Sequence, residues 1–126
     1  MTTLYIVLPC YKEEEALPLS APKLKEKLLS LIDKNKISDD SRILFVNDGS
    51  KDGTWRIINE LHEQDRHFTG ISLSRNRGHQ NALLAGLETA AKYADAIISM
   101  DVDLQDDIGA VDEMLEKFEA GCDVVY

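Results

Sequence analysis

Four aspartates, Asp101, Asp103, Asp106 and Asp107, fall within seven positions directly after the apolar run Ala96 to Met100. Carboxylates this close repel one another, so either water separates them or a cation holds them together. Asp101 and Asp103 stand at i and i+2, and in an extended chain both side chains face one way, about 7 Å apart at the backbone. Such a pair suits a hard divalent ion, Mg2+ or Mn2+, held by one or two carboxylates while water and a substrate phosphate complete its coordination. Gln105 can add a neutral oxygen ligand or a sugar contact. Asp106 and Asp107 are better explained as acids at a helix start, where the helix dipole favours them.

Three other clusters have side chains suited to binding. In "VNDGSKDGT", Asp48 can accept a hydrogen bond from a base N–H or a ribose hydroxyl while Gly49 turns the backbone; D-G-S is equally an ordinary turn. Asp52, Gly53 and Thr54 read as the turn and cap of the next helix. Arg75 and Arg77 bracket Asn76 ahead of Gly78, where two guanidinium groups beside a helix start would neutralise a diphosphate or simply sit on the surface. His79 has no partner at ligand spacing and reads as a helix-start residue. Tyr11 can stack on a base and Glu13 can bind a ribose, although Glu13 to Glu15 also suit the approach to a helix.

For these clusters to meet, the chain must deliver them to one edge. Near-continuous apolar runs at Leu4 to Leu8, Arg42 to Asn47, Phe68 to Ser74, Ala96 to Met100 and Asp123 to Tyr126 predict five strands buried on both faces, as in a parallel sheet. Helical spacing marks Leu24, Leu28, Leu31 and Ile32; then Trp55, Ile58 and Leu61 after the turn Ser50 to Gly53; then Leu83, Leu87, Ala90, Ala91 and Ala94. A fourth helix carries Ile108, Val111, Met114, Leu115 and Phe118, with Asp106 or Asp107 as its N-cap. The alternation predicts an α/β fold, an open, mostly parallel sheet with helices on both faces. Ligands of such sheets bind beyond the carboxyl ends of the strands, and all four clusters follow strand ends. The charged stretch Asp33 to Arg42 reads as a solvated loop.

A chain of 126 residues is one domain's worth, and its net charge of −9 argues against nucleic acid or an anionic membrane surface as the main partner. An acidic protein that binds phosphate must bring local positive charge, most simply as a divalent ion. Cys10 and Cys122 are far apart and read as buried, reduced thiols of a cytoplasmic protein. No apolar stretch approaches the roughly 18 residues of a membrane span, so a soluble chain is expected.

Taken together, "VLPCYKEEE", "FVNDGSKDGT", "LSRNRGHQNALLAGL" and "MDVDLQDD" resemble the successive motifs of the family 2 glycosyltransferases, which use the nucleotide-sugar-binding GT-A fold. Within that family the R-N-x-G and D-x-D-L-Q-D forms are most similar to the polyprenyl-phosphate branch, which contains bactoprenol glucosyltransferases and dolichol-phosphate mannose synthase. The resemblance implies that Pro9, Tyr11 and Glu13 lie against the nucleoside, that Asp48 meets the base, and that Asp101 and Asp103 hold the metal on the sugar-nucleotide diphosphate. Val102 and Gln105 would lie beside that pair, and Arg75 and Gly78 near the substrate cleft. The sequence departs from the common D-A-D-L-Q-D-P-P-E at Val102 and at "DDIGAV" after Gln105.

The implied reaction is metal-dependent, inverting transfer of a sugar from a nucleoside diphosphate sugar to a polyprenyl phosphate or a saccharide acceptor. The family's catalytic base comes from later in the domain, so residues 1–126 are expected to be the nucleotide-sugar-binding front of a longer protein, inactive alone. The resemblance leaves room for a membrane-associated, oligomeric whole at the cytoplasmic face. Two alternatives are a non-catalytic nucleotide- and metal-binding module and a receiver-type signalling domain. The receiver would need an acidic pair after the first strand and an aspartate after the third, where Pro9-Cys10-Tyr11 and Arg75 stand.

Overall fold

The computed structural model describes residues 2–73 and 78–100. Arg75, Asp101, Val102, Asp103 and Gln105 lie outside the described residues, as do Arg77, Cys122, the expected fourth helix and the expected fifth strand. Among the described residues four strands and three helices alternate: β1 (Leu4–Cys10), α1 (Leu17–Asp33), β2 (Arg42–Asn47), α2 (Thr54–Gln64), β3 (Phe68–Ser72), α3 (His79–Ala91) and β4 (Ala96–Ser99). All pairings are parallel, in the order β3-β2-β1-β4.

Strand alternation sorts the apolar side chains onto two faces. Leu4, Ile6 and Leu8 of β1, Ile43 and Phe45 of β2, Phe68 of β3 and Ile98 of β4 share a core with Leu17, Leu24, Leu28 and Leu31 of α1 and Ile58 of α2. Val7, Leu44 and Val46 face the other way, against Ala82 and Ala90 of α3. The helices therefore cover both faces. β1 and β2 are buried along nearly their whole length, which explains their lack of polar alternation.

Four details depart from the sequence reading. β1 continues through Pro9 and Cys10, while β3 stops at Ser72 and β4 at Ser99. The inner stripe of α3 is Ala82, Gly86 and Ala90, while Leu83 is only partly buried beside them. A Cβ on Gly86 would come within 2.5 Å of Val7 Cγ1 and 2.8 Å of Val46 Cγ2, so the helix lies too close to the sheet for leucines. α3 ends at Ala91, before Ala94. The stretch from Asp33 to Arg42 is not simply solvated: Ile37 and Ser41 are fully buried, and the Ser38 amide donates to Thr2 O at 2.7 Å. Cys10 is a free thiol, 1% exposed, as expected, and burial pushes its pKa far up.

Candidate functional site

The strand order creates the site. From β1 the chain moves outward through β2 to β3, then returns across the sheet to place β4 on the other side of β1. The strand order thus reverses at β1, and the carboxyl ends beside such a reversal are the usual ligand position in open parallel sheets. Pro9 stands in β1 near that end. Val7 O accepts from Met100 N of the β4 end, whereas Cys10 O accepts from Asp48 N after β2, so alternate residues of β1 address alternate neighbours. Pro9 falls on the β4 side and has no N–H to offer; the β1–β4 register ends at Val7 opposite Ser99.

The loops after β1 and β2 are fastened together. The Lys12 amide donates to Ser50 Oγ at 2.9 Å, and the Glu13 amide to Thr54 Oγ1 at 2.9 Å. Asn47, 2% exposed, uses its side chain twice: Oδ1 accepts from the Ser50 amide at 3.2 Å and Nδ2 donates to Ser72 Oγ at 3.0 Å. The ends of β1, β2 and β3 are thereby held in one frame. Gly49 takes φ 68° to make the turn, a conformation that costs glycine little. Asp52 accepts from the Thr54 amide and hydroxyl, which starts α2 behind an N-cap at Gly53. Burial alone would raise the Asp52 carboxyl, but the bonds from Thr54 and the Glu14 amide outweigh it and hold the pKa below its ordinary value.

Within this frame Pro9 is buried in the strand, Tyr11 is 42% exposed, Glu13 is half-buried and Asp48 is 3% exposed. An exposed aromatic ring at the end of β1 offers a planar ligand a stacking surface. Lys12 has φ 54°, and its Nζ stands 5.3 Å from the Tyr11 ring centroid. A left-handed backbone costs a residue with a Cβ about 1 kcal/mol. Gly78 is the N-cap of α3, with φ 89° and nothing within 4 Å of a Cβ built there. The structure thus brings Pro9, Tyr11, Glu13 and Asp48 together; Met100, the last described residue, directly precedes Asp101. Among the described residues no group of three or more His, Cys, Asp or Glu could hold a metal.

Ser50, Thr54 and Asn47 do not stand out in the sequence as site residues. Their signal lies in the density of hydroxyl and amide side chains in "VNDGSKDGT", which serves the frame as well as the turn.

The fold is an open parallel α/β unit whose strand order reverses at β1. Residues 5–126 match the family described as Glycosyl transferase family 2, and the chain belongs to that family. It is 46% identical over 98% of its length to an uncharacterized glycosyltransferase, YkoT, of Bacillus subtilis, covering 36% of that protein. It is 42% identical over 95% of its length to a prophage bactoprenol glucosyl transferase homolog of Escherichia coli, covering 37% of it. The chain thus spans little more than a third of the length of these relatives. A mannosyltransferase from Pyrobaculum calidifontis, solved in complex with GDP-Man and Mn2+, shares the fold: TM-score 0.56 and 22% identity, over 81% of this chain and 28% of that one.

Proposed function

We propose that this chain is the donor-binding part of a metal-dependent, inverting glycosyltransferase that moves a sugar from a nucleoside diphosphate sugar to an acceptor, a polyprenyl phosphate in preference to a saccharide. The observation that carries the reading is the frame joining the loops of Tyr11, Glu13 and Asp48 beside the β1–β4 seam, with Asp101 two residues past the end of β4 in the chain. Tyr11 stacks on the base, Asp48 accepts from the base or ribose, and Glu13 binds the ribose against Pro9. Arg75 and Gly78 border the cleft. The family's relatives named as bactoprenol glucosyl transferases support the lipid-phosphate acceptor, and the fold neighbour's ligands support a nucleotide sugar with a divalent ion.

Two carboxylates with an amide oxygen, Asp101, Asp103 and Gln105, form a hard-oxygen donor set that fits Mg2+ or Mn2+, with Val102 between the acids. When bound, such an ion offsets the negative charge that develops on the departing diphosphate. The chain's residues orient the donor so that the anomeric carbon, which gains oxocarbenium character, is open to the acceptor on its far side. An acceptor phosphate is already ionised at neutral pH and needs chiefly positioning, whereas a saccharide hydroxyl needs a base. Calorimetry with UDP and GDP, with and without Mn2+, tests this. One nucleotide is expected to bind more tightly with Mn2+, and Asp103→Ala is expected to lower that metal-dependent affinity at least about tenfold. Absence of binding by either nucleotide, or an Asp103→Ala variant that binds like the wild type, overturns the reading.

A further inference from the structure

Among the described residues, positive φ occurs at Lys12, Asn35, Gly49 and Gly78. Three of these are the residue types that accept a left-handed backbone readily, and Asn35 follows the end of α1, where such a residue is common. Lys12 is the exception. Its conformation is imposed by the frame: its own amide is held by Ser50 Oγ and the next amide by Thr54 Oγ1. Glycine or asparagine would fit that backbone better, so the loop's geometry gives no reason for a lysine. What lysine alone adds is an ammonium group, and the structure sets it over the exposed Tyr11 ring at the carboxyl end of β1. In a chain of net charge −9, a cation fixed beside an aromatic surface at the ligand edge is suited to an anion carried by an aromatic ligand.

We infer that Lys12 is a binding residue for the diphosphate of the donor, acting beside the metal and independently of it. This rests on the donor-site reading above. Tyr11 takes the base, and the flexible Lys12 stem carries the charge from the ring towards the phosphates, which increases affinity for the nucleoside diphosphate over the nucleoside. The test compares UDP and GDP with uridine and guanosine by calorimetry, with Mn2+ and with chelator. Lys12→Asn keeps the backbone conformation accessible and removes the charge; Lys12→Arg keeps the charge; Lys92→Asn, after α3 at the opposite edge, changes the net charge equally.

Lys12→Asn is expected to lower affinity for the bound diphosphate about tenfold, with or without Mn2+, and to leave nucleoside affinity within about twofold. Lys12→Arg is expected to retain most of the affinity, and Lys92→Asn to match the wild type. The thermal midpoint of Lys12→Asn should equal or exceed that of the wild type. Unchanged diphosphate affinity in Lys12→Asn overturns the inference, as does an equal loss for nucleoside and diphosphate. If the wild type binds neither nucleotide under any condition, the donor-site reading itself fails; if it binds and only the Lys12 contrast is missing, that reading stands and this inference falls.

Discussion

At the scale of single residues, the molecule separates its two sheet edges by charge arrangement. The carboxyl edge carries the hydrogen-bonded frame around Ser50, Thr54 and Asn47, whereas a compact ionic cluster closes the amino edge. There Asp65 accepts from Lys25 Nζ at 2.7 Å, and the buried His67 ring has Nδ1 3.0 Å from Asp65 Oδ1 and Nε2 3.1 Å from Asp39 Oδ1, with Arg66 also paired to Asp39. Burial would raise the Asp65 carboxyl, but Lys25 and the amide and ring of His67 bring it down to about 2. A carboxylate whose folded pKa is depressed contributes stability above its unfolded value of about 3.9, and that contribution disappears as pH falls through the folded value. Urea unfolding between pH 5 and pH 2 should therefore show a stability loss to which Asp65 contributes on the order of 2 kcal/mol, and Asp65→Asn should flatten that part of the curve. An unchanged slope in the variant would remove Asp65 from the acid response.

Among the elements, α3 shows how much packing can hide behind a correct helix assignment. Its small inner stripe allows the backbone to approach β1 and β2, and Gly86→Ala should cost about 1–3 kcal/mol by forcing a methyl against Val7 and Val46. Thermal or urea denaturation checks this; a neutral substitution would mean that the helix can retreat from the sheet. The sequence made β1, β2, α1 and α2 legible because unbroken apolar runs fit a buried strand, and apolar residues recurring at 3, 4 and 7 fit one face of a helix. It misled about α3, since leucine is read as facing the core and glycine as a weak point. It also misled about the end of β1, since proline reads as a strand breaker. Ile37 escaped notice as a single apolar residue amid the charges of "DKNKISDDSR", although it is fully buried. In the proposed site, the positions of Tyr11, Glu13 and Asp48 beyond the ends of strands could be read from the sequence. The left-handed turn at Lys12 could not, because nothing in a lysine advertises it.

For the whole molecule, the strand order rather than any one residue sets the hierarchy of stability. Among the described residues β1 is flanked by strands on both sides and covered by helices on both faces, whereas β3 is the outer strand beyond β2. Native-state hydrogen exchange should accordingly find the slowest amides in β1 and β2, at Ile6, Leu8 and Leu44, and faster exchange in β3 at Thr69 and Ile71. Equal protection across the sheet would show that it opens only as a unit. The order itself could not be read from the sequence, because the length of a crossover says little about the side on which the returning strand pairs. Pro9 gives this arrangement a consequence for the ligand. Because the missing N–H is covalent, the seam between β1 and β4 cannot zip shut past Val7 and Ser99 in the usual way. On the proposed donor-site reading, a ligand at that edge has no Pro9 amide bond to break before it binds, because that bond was ruled out when the chain was made.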